Sequence, residues 1–146
     1  MSSTLITVAD AMITAIATGS FGVPLTVERK YYFVRDRGDG DTGIYVSLIC
    51  AAPRRRERIT RKHSNEVLLI DVVVERKLPA ASTLSDYDDL MDLTEAIADS
   101  IDGSTFAELA VCGKITPAAE YSIEHASDDK FVAAFTAELT TVRAIS

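Results

Sequence analysis

Two apolar runs set the limits on what this chain can fold into: residues 44–52 read IYVSLICAA, and residues 66–78 read EVLLIDVVVERKL. Both are rich in β-branched and aliphatic side chains, and only Asp71 interrupts the stretch 67–74. Short continuous runs of this kind, bounded by turn and charge signals, suit largely buried strands, and they fall well short of the roughly 20 apolar residues that a membrane-spanning helix needs. Between them lies APRRRERITRKH (52–63), with six cations and one carboxylate in twelve residues of a chain whose net charge is −7. Two buried strands joined through this segment describe a long hairpin, with the arginines in its connection or at its tips. If 54–62 is extended, Arg54, Arg56, Arg58 and Lys62 share one face, because side chains alternate across a strand.

The flanking sequence supplies the other layer. Leu5, Val8, Ala9, Met12 and Ile16 recur at helical spacing and Gly19 follows as a stop, so 4–18 is expected to be an amphipathic helix. After Gly22 and Pro24, LTVERKYYFV (25–34) carries strand-forming residues, and RDRGDGDTG (35–43) is turn-rich and expected to be a loop. A second helix is predicted from Ser85 as N-cap through Tyr87, Leu90, Met91, Thr94, Ile97, Ala98 and Ile101 to a stop at Gly103. AELAVCG (107–113), AAEYSIEHA (118–126) and KFVAAFTAELTTVRA (130–144) read as strands. Phe131, Ala133, Phe135, Ala137 and Leu139 lie along one face of the last, and Ser127-Asp128-Asp129 forms a hairpin turn before it. The expected architecture is α+β: one domain over 1–146, with a mostly antiparallel sheet, both helices packed on one face, and a long hairpin arm.

At 146 residues, 47% hydrophobic and 25% charged, the chain can bury a core without metal or disulfide staples. Cys50 and Cys112 sit singly in apolar runs and are expected to be small buried hydrophobes, consistent with a reducing cytoplasm. The N-terminus lacks a basic n-region and places Asp10 inside its apolar stretch, so neither export by a signal peptide nor membrane anchoring is expected.

Charge is the unevenly distributed property. Residues 86–102 hold Asp86, Asp88, Asp89, Asp92, Glu95, Asp99 and Asp102 with no cation, whereas 54–62 carry six cations against Glu57. An acidic chain does not coat nucleic acid with its whole surface, and two opposed charge clusters suggest complementary contacts.

Catalytic signatures are missing. His63 and His125 lack metal-ligand spacing, Asp36, Asp39 and Asp41 do not follow the calcium-loop pattern, and no nucleophile elbow, phosphate loop or dinucleotide fingerprint occurs. The acids of 86–102 fall on the polar side of an amphipathic helix, where nothing desolvates them for acid/base work. No enzymatic activity, metal or cofactor is therefore expected. The basic segment has three readings: a nucleic-acid patch, which lacks interleaved aromatics; a solvated hairpin tip; or an assembly arm. In the last, Arg54, Arg55, Arg56, Arg58, Arg61 and Lys62 would meet Asp88, Asp89, Asp92, Glu95 and Asp99 of a neighbouring copy through bidentate pairs. A head-to-tail contact of that sort closes into a ring if its rotation permits.

The order of elements carries a family resemblance. An N-terminal helix (LITVADAMITAIATG), the strand VERKYYFV, the long hairpin across 44–78, the acidic helix DYDDLMDLTEAIADSI and closing strands resemble the tail terminator and neck (head-tail joining) proteins of tailed bacteriophages. That resemblance implies a virion protein assembled in the host cytoplasm, a homo-oligomeric and hexameric ring at the end of the tail tube. Its implied partners are itself, the tail tube protein and a head connector or adaptor protein, with transient contact to passing DNA and none to membrane. By position, 54–62 would match the arm that such subunits extend toward neighbours, and 86–101 an outer or intersubunit surface.

Overall fold

Helix α1, Thr4–Thr18, forms where the sequence spacing places it, with Val8, Ala9, Met12 and Ile16 on its buried side. The computed structural model describes residues 4–19, 21–30, 43–50, 55–58, 63–77, 84–107, 110–117 and 130–144. Helix α2, Leu84–Ile101, buries Leu90, Leu93, Thr94, Ile97 and Ile101. Two details of that helix differ from expectation. Ser85 lies inside the first turn, since the helix already begins at Leu84, so it is not the N-cap. Met91 is 46% exposed while Leu93 is buried, because one residue turns the helix by about 100° and carries Met91 past the edge of the apolar stripe that Leu93 joins. Gly103 ends α2 as expected, with φ at +76°, and its N–H donates to the Cys112 carbonyl at 2.8 Å, so the cap ties the helix end to the sheet.

The sheet contains β1 (Thr26–Lys30), β2 (Ile44–Ile49), β3 (Arg55–Arg58), β4 (His63–Lys77), β5 (Thr105–Phe106), β6 (Ala110–Pro117) and β7 (Lys130–Ala144). Among the described residues it is seven-stranded, in the order β1-β2-β4-β7-β6-β5, with β3 also paired to β4. The architecture is α+β and mostly antiparallel. One pair departs from the hairpin expectation: β1 runs parallel to β2, from Thr26↔Tyr45 to Lys30↔Ile49. The strand expected over 107–113 is instead a short β5 followed by β6, and Cys112 is followed by a bulge in the β6–β7 ladder. The predicted loop 35–42, residues 31–34 of the predicted first strand, the strand 118–126 and the turn 127–129 lie outside the described residues.

The hairpin across the basic segment is present in interrupted form. β2 pairs with the later part of β4 (Ile49↔Asp71) and β3 with its earlier part (Arg55↔Val67), both antiparallel. The expected projecting two-stranded arm is corrected in one respect. β7 pairs with β4 along its whole length, from Lys77↔Lys130 to His63↔Ala144, so the β3–β4 end is backed by a third strand.

Alternation makes one set of strand positions the core. Ile44, Val46 and Leu48 of β2, Leu68, Ile70, Val72 and Val74 of β4, and Phe131, Ala133, Phe135, Ala137 and Leu139 of β7 join the buried residues of both helices in one apolar cluster. Positions of the other parity form a smaller cluster, Ile49, Val73 and Val132 with Ala134 packed on it, among the buried polar residues Ser47, Asp71 and Glu75. The Thr136 hydroxyl, directly across the ladder, donates to Asp71 Oδ1 at 2.7 Å, which meets the requirement that a buried carboxylate be hydrogen-bonded. Cys50 and Cys112 are buried and free. Burial pushes both thiols above the ordinary range, with Arg29 opposing the shift at Cys50 and backbone hydrogen bonding opposing it at Cys112.

Candidate functional site

The acids of α2 divide by helical geometry. Asp88, Asp92, Glu95 and Asp99 follow one another at spacings of four, three and four, which places them on one exposed stripe away from the buried face, with Asp92 at the edge of that stripe nearest Asp89. Asp89 falls on the flank between stripe and core, and Asp86, in line with Leu90, Leu93 and Ile97, is exposed in the first turn. Asp86 stands in the first turn, where the helix macrodipole favours an anion, whereas Asp99 and Asp102 stand at the other end, where it does not, and the last turn has no basic residue. The helix is held by its apolar face and by internal bonds, such as the buried Thr94 hydroxyl donating to the Leu90 carbonyl at 2.8 Å.

Beside that flank lies a groove of about 440 Å³. Phe21 and Val23 from the turn after α1, Ile44 from β2, and Leu90 and Leu93 from α2 form its apolar walls. Asp86, Asp89 and Asp92 rim it, with Arg76 at the end of β4 as the cation on its border. Asp89 and Asp92 make no ion pair with the described residues. Val23 remains 45% exposed. The groove thus offers apolar surface to a stem and carboxylates to a cationic head, the combination that suits an arginine or lysine side chain.

The cations stand elsewhere. Arg55, Arg56 and Arg58 lie on β3, where the backbone register sets Arg55 opposite Val67, Arg56 opposite Glu66 and Arg58 opposite Ser64. Arg54, Arg61 and Lys62 lie outside the described residues. Arg76 at the groove and Val67 opposite Arg55 are nine positions apart on the same strand, a separation of roughly 30 Å at about 3.4 Å per residue. The fold therefore does not bring the sequence-predicted acids at the groove and the cations of β3 together within one molecule.

Of the predicted acids, Asp89 and Asp92 line the groove, while Asp88, Glu95 and Asp99 face away from it. Phe21, Val23, Ile44 and Arg76 were not anticipated as site residues. They come from three separate segments, and their only local signal is an exposed valine beside a turn proline. Two further ion pairs, Arg29 to Asp10 at 3.1 Å and Lys30 to Glu28 at 3.7 Å, tie β1 to α1 and to itself and lie apart from the groove. Among the described residues no group of three or more His, Cys, Asp or Glu side chains is placed to hold a metal ion, and no helix is long and apolar enough to cross a membrane. The chain matches no protein-family model, and no curated protein matches it in sequence.

Proposed function

We propose that this chain is a structural ring subunit whose copies associate head to tail, the basic hairpin of one against the acidic surface of α2 in the next. The observation that carries the reading is the charge pattern of α2. Like charges three or four residues apart on a helix each cost about 0.2–0.5 kcal/mol, and Asp99 and Asp102 also oppose the macrodipole. Helix stability does not account for such a concentration of acids on α2, Asp89 and Asp92 included; a cationic partner does, and this chain carries one in residues 54–62. The resemblance in element order to the tail terminator and neck proteins of tailed bacteriophages gives the ring its setting: a hexamer in the virion, capping the tail tube, limiting its length and presenting a surface to the head connector or adaptor protein. The role is one of assembly, without catalysis or cofactor.

Native mass spectrometry with light scattering on the purified chain tests this reading. A ring-sized oligomer is expected, and replacing Arg55, Arg56 and Arg58 by Glu is expected to dissociate it with the far-ultraviolet circular dichroism unchanged. A strict monomer at high protein concentration that retards a DNA probe in a salt-sensitive manner overturns the proposal in favour of a DNA-gripping role for the same cations.

A further inference from the structure

We infer that the groove beside α2, and not the outward acidic stripe, is the socket that receives the basic hairpin of a second copy. This inference rests on the ring reading and names the surface through which the ring closes. Three observations carry it. The groove has room, about 440 Å³, and among the described residues it couples apolar walls to the carboxylates of Asp89 and Asp92, with Asp86 and Arg76 beside them. An arginine entering it buries its methylene stem on Leu90, Leu93 and the half-exposed Val23 while its head meets the rim. The stripe of Asp88, Glu95 and Asp99 offers charge without such a recess, and exposed pairs on an open surface are weak and screened by salt.

The second observation is geometric. The cations of β3 and the groove occupy opposite ends of β4, roughly 30 Å apart, several times the screening length of about 8 Å at physiological salt. The hairpin of one molecule therefore does not satisfy its own groove, and the complementary surfaces are left for a head-to-tail, heterologous contact. The third is that Asp89 and Asp92 have no ion pair among the described residues, so their charge is open to a partner. A bound metal ion is disfavoured as the occupant by Arg76 on the groove border and by the absence of a metal-holding cluster among the described residues.

Sedimentation velocity on the full chain decides the matter, with circular dichroism as the folding control. Asp89→Lys with Asp92→Lys is expected to weaken self-association at least about tenfold, and Asp88→Lys, Glu95→Lys and Asp99→Lys together by less than about threefold. Ala96 also lines the groove, and Ala96→Trp, which fills it without changing charge, is expected to weaken association as well. Mixing the groove variant with an Arg56→Glu, Arg58→Glu variant is expected to restore association through the reversed pairs. If the wild-type chain assembles and the stripe variant is hurt as much as the groove variant, the socket is wrong and the ring stands. If the wild-type chain does not associate at any concentration, the ring reading falls and the socket with it.

Discussion

The acidic helix and the basic strand carry opposite charges, and they are built in opposite ways. α2 closes its backbone hydrogen bonds within itself and is fixed to the sheet by Leu90, Leu93, Ile97 and Ile101, so its charged side is mechanically idle. β3 has no internal bonds: its four residues are held by the ladder to β4, which is held in turn by β7. The difference teaches where each region tolerates change. The charges of α2 can be altered without touching what holds it, whereas the position of the β3 cations depends on a ladder that begins in the buried middle of the sheet.

The strongest way to break this comparison is to attack the apolar anchor of α2. Ile97, fully buried, is expected to cost about 2–5 kcal/mol when cut to Ala, measured by urea unfolding; a loss under 1 kcal/mol would mean that burial does not hold the helix. The corresponding attack on the sheet is Thr136→Val, which removes the donor to Asp71 in the β4–β7 ladder. A loss of about 1–3 kcal/mol is expected, because a buried carboxylate loses one of its hydrogen-bond donors. A smaller effect of opposite sign sharpens the contrast. Asp99→Asn with Asp102→Asn is expected to raise stability by a few tenths of a kcal/mol in low salt, with the gain shrinking as salt is added, since both acids oppose the helix dipole.

The thiols give the smallest signal and a defined pH window. Both cysteines have folded-state values raised by burial, so their contribution is complete below the ordinary thiol pKa of about 8.5 and is lost as pH rises through the folded values. Stability measured from pH 7 upward is expected to fall in the alkaline range, and the fall should flatten in a Cys50→Ala, Cys112→Ala double variant. At pH 8, native protein is expected to react with a thiol reagent far more slowly than urea-unfolded protein.

The parts of the site that were legible in the sequence are those written in local periodicity. The spacing of Val8, Met12 and Ile16 located α1, the alternation of Phe131, Phe135 and Leu139 located β7, and the acids of α2 were visible as a polar face. Two readings failed at the margin of the same rules. Met91 has the spacing of the apolar stripe and stands exposed, and Ser85 has the chemistry of a cap but lies inside a helix that begins at Leu84, because capping depends on backbone geometry one residue either side. The groove was not legible at all. Phe21, Ile44 and Arg76 are distant in sequence and meet because the α1–β1 turn, the start of β2 and the end of β4 converge beside α2.

By itself, the sequence determined the helices, the long strands and the segregation of charge into one acidic face and one basic stretch, since each of these is set by residues within a few positions of one another. Tertiary structure alone decided that β1 lies parallel to β2, that β7 enters between β4 and β6, and that it runs on to back the basic hairpin. It also decided that the groove and the cations sit at opposite ends of β4. Strand partners are chosen by which faces bury together across a hundred residues of chain, a long-range choice on which neighbouring side chains are silent.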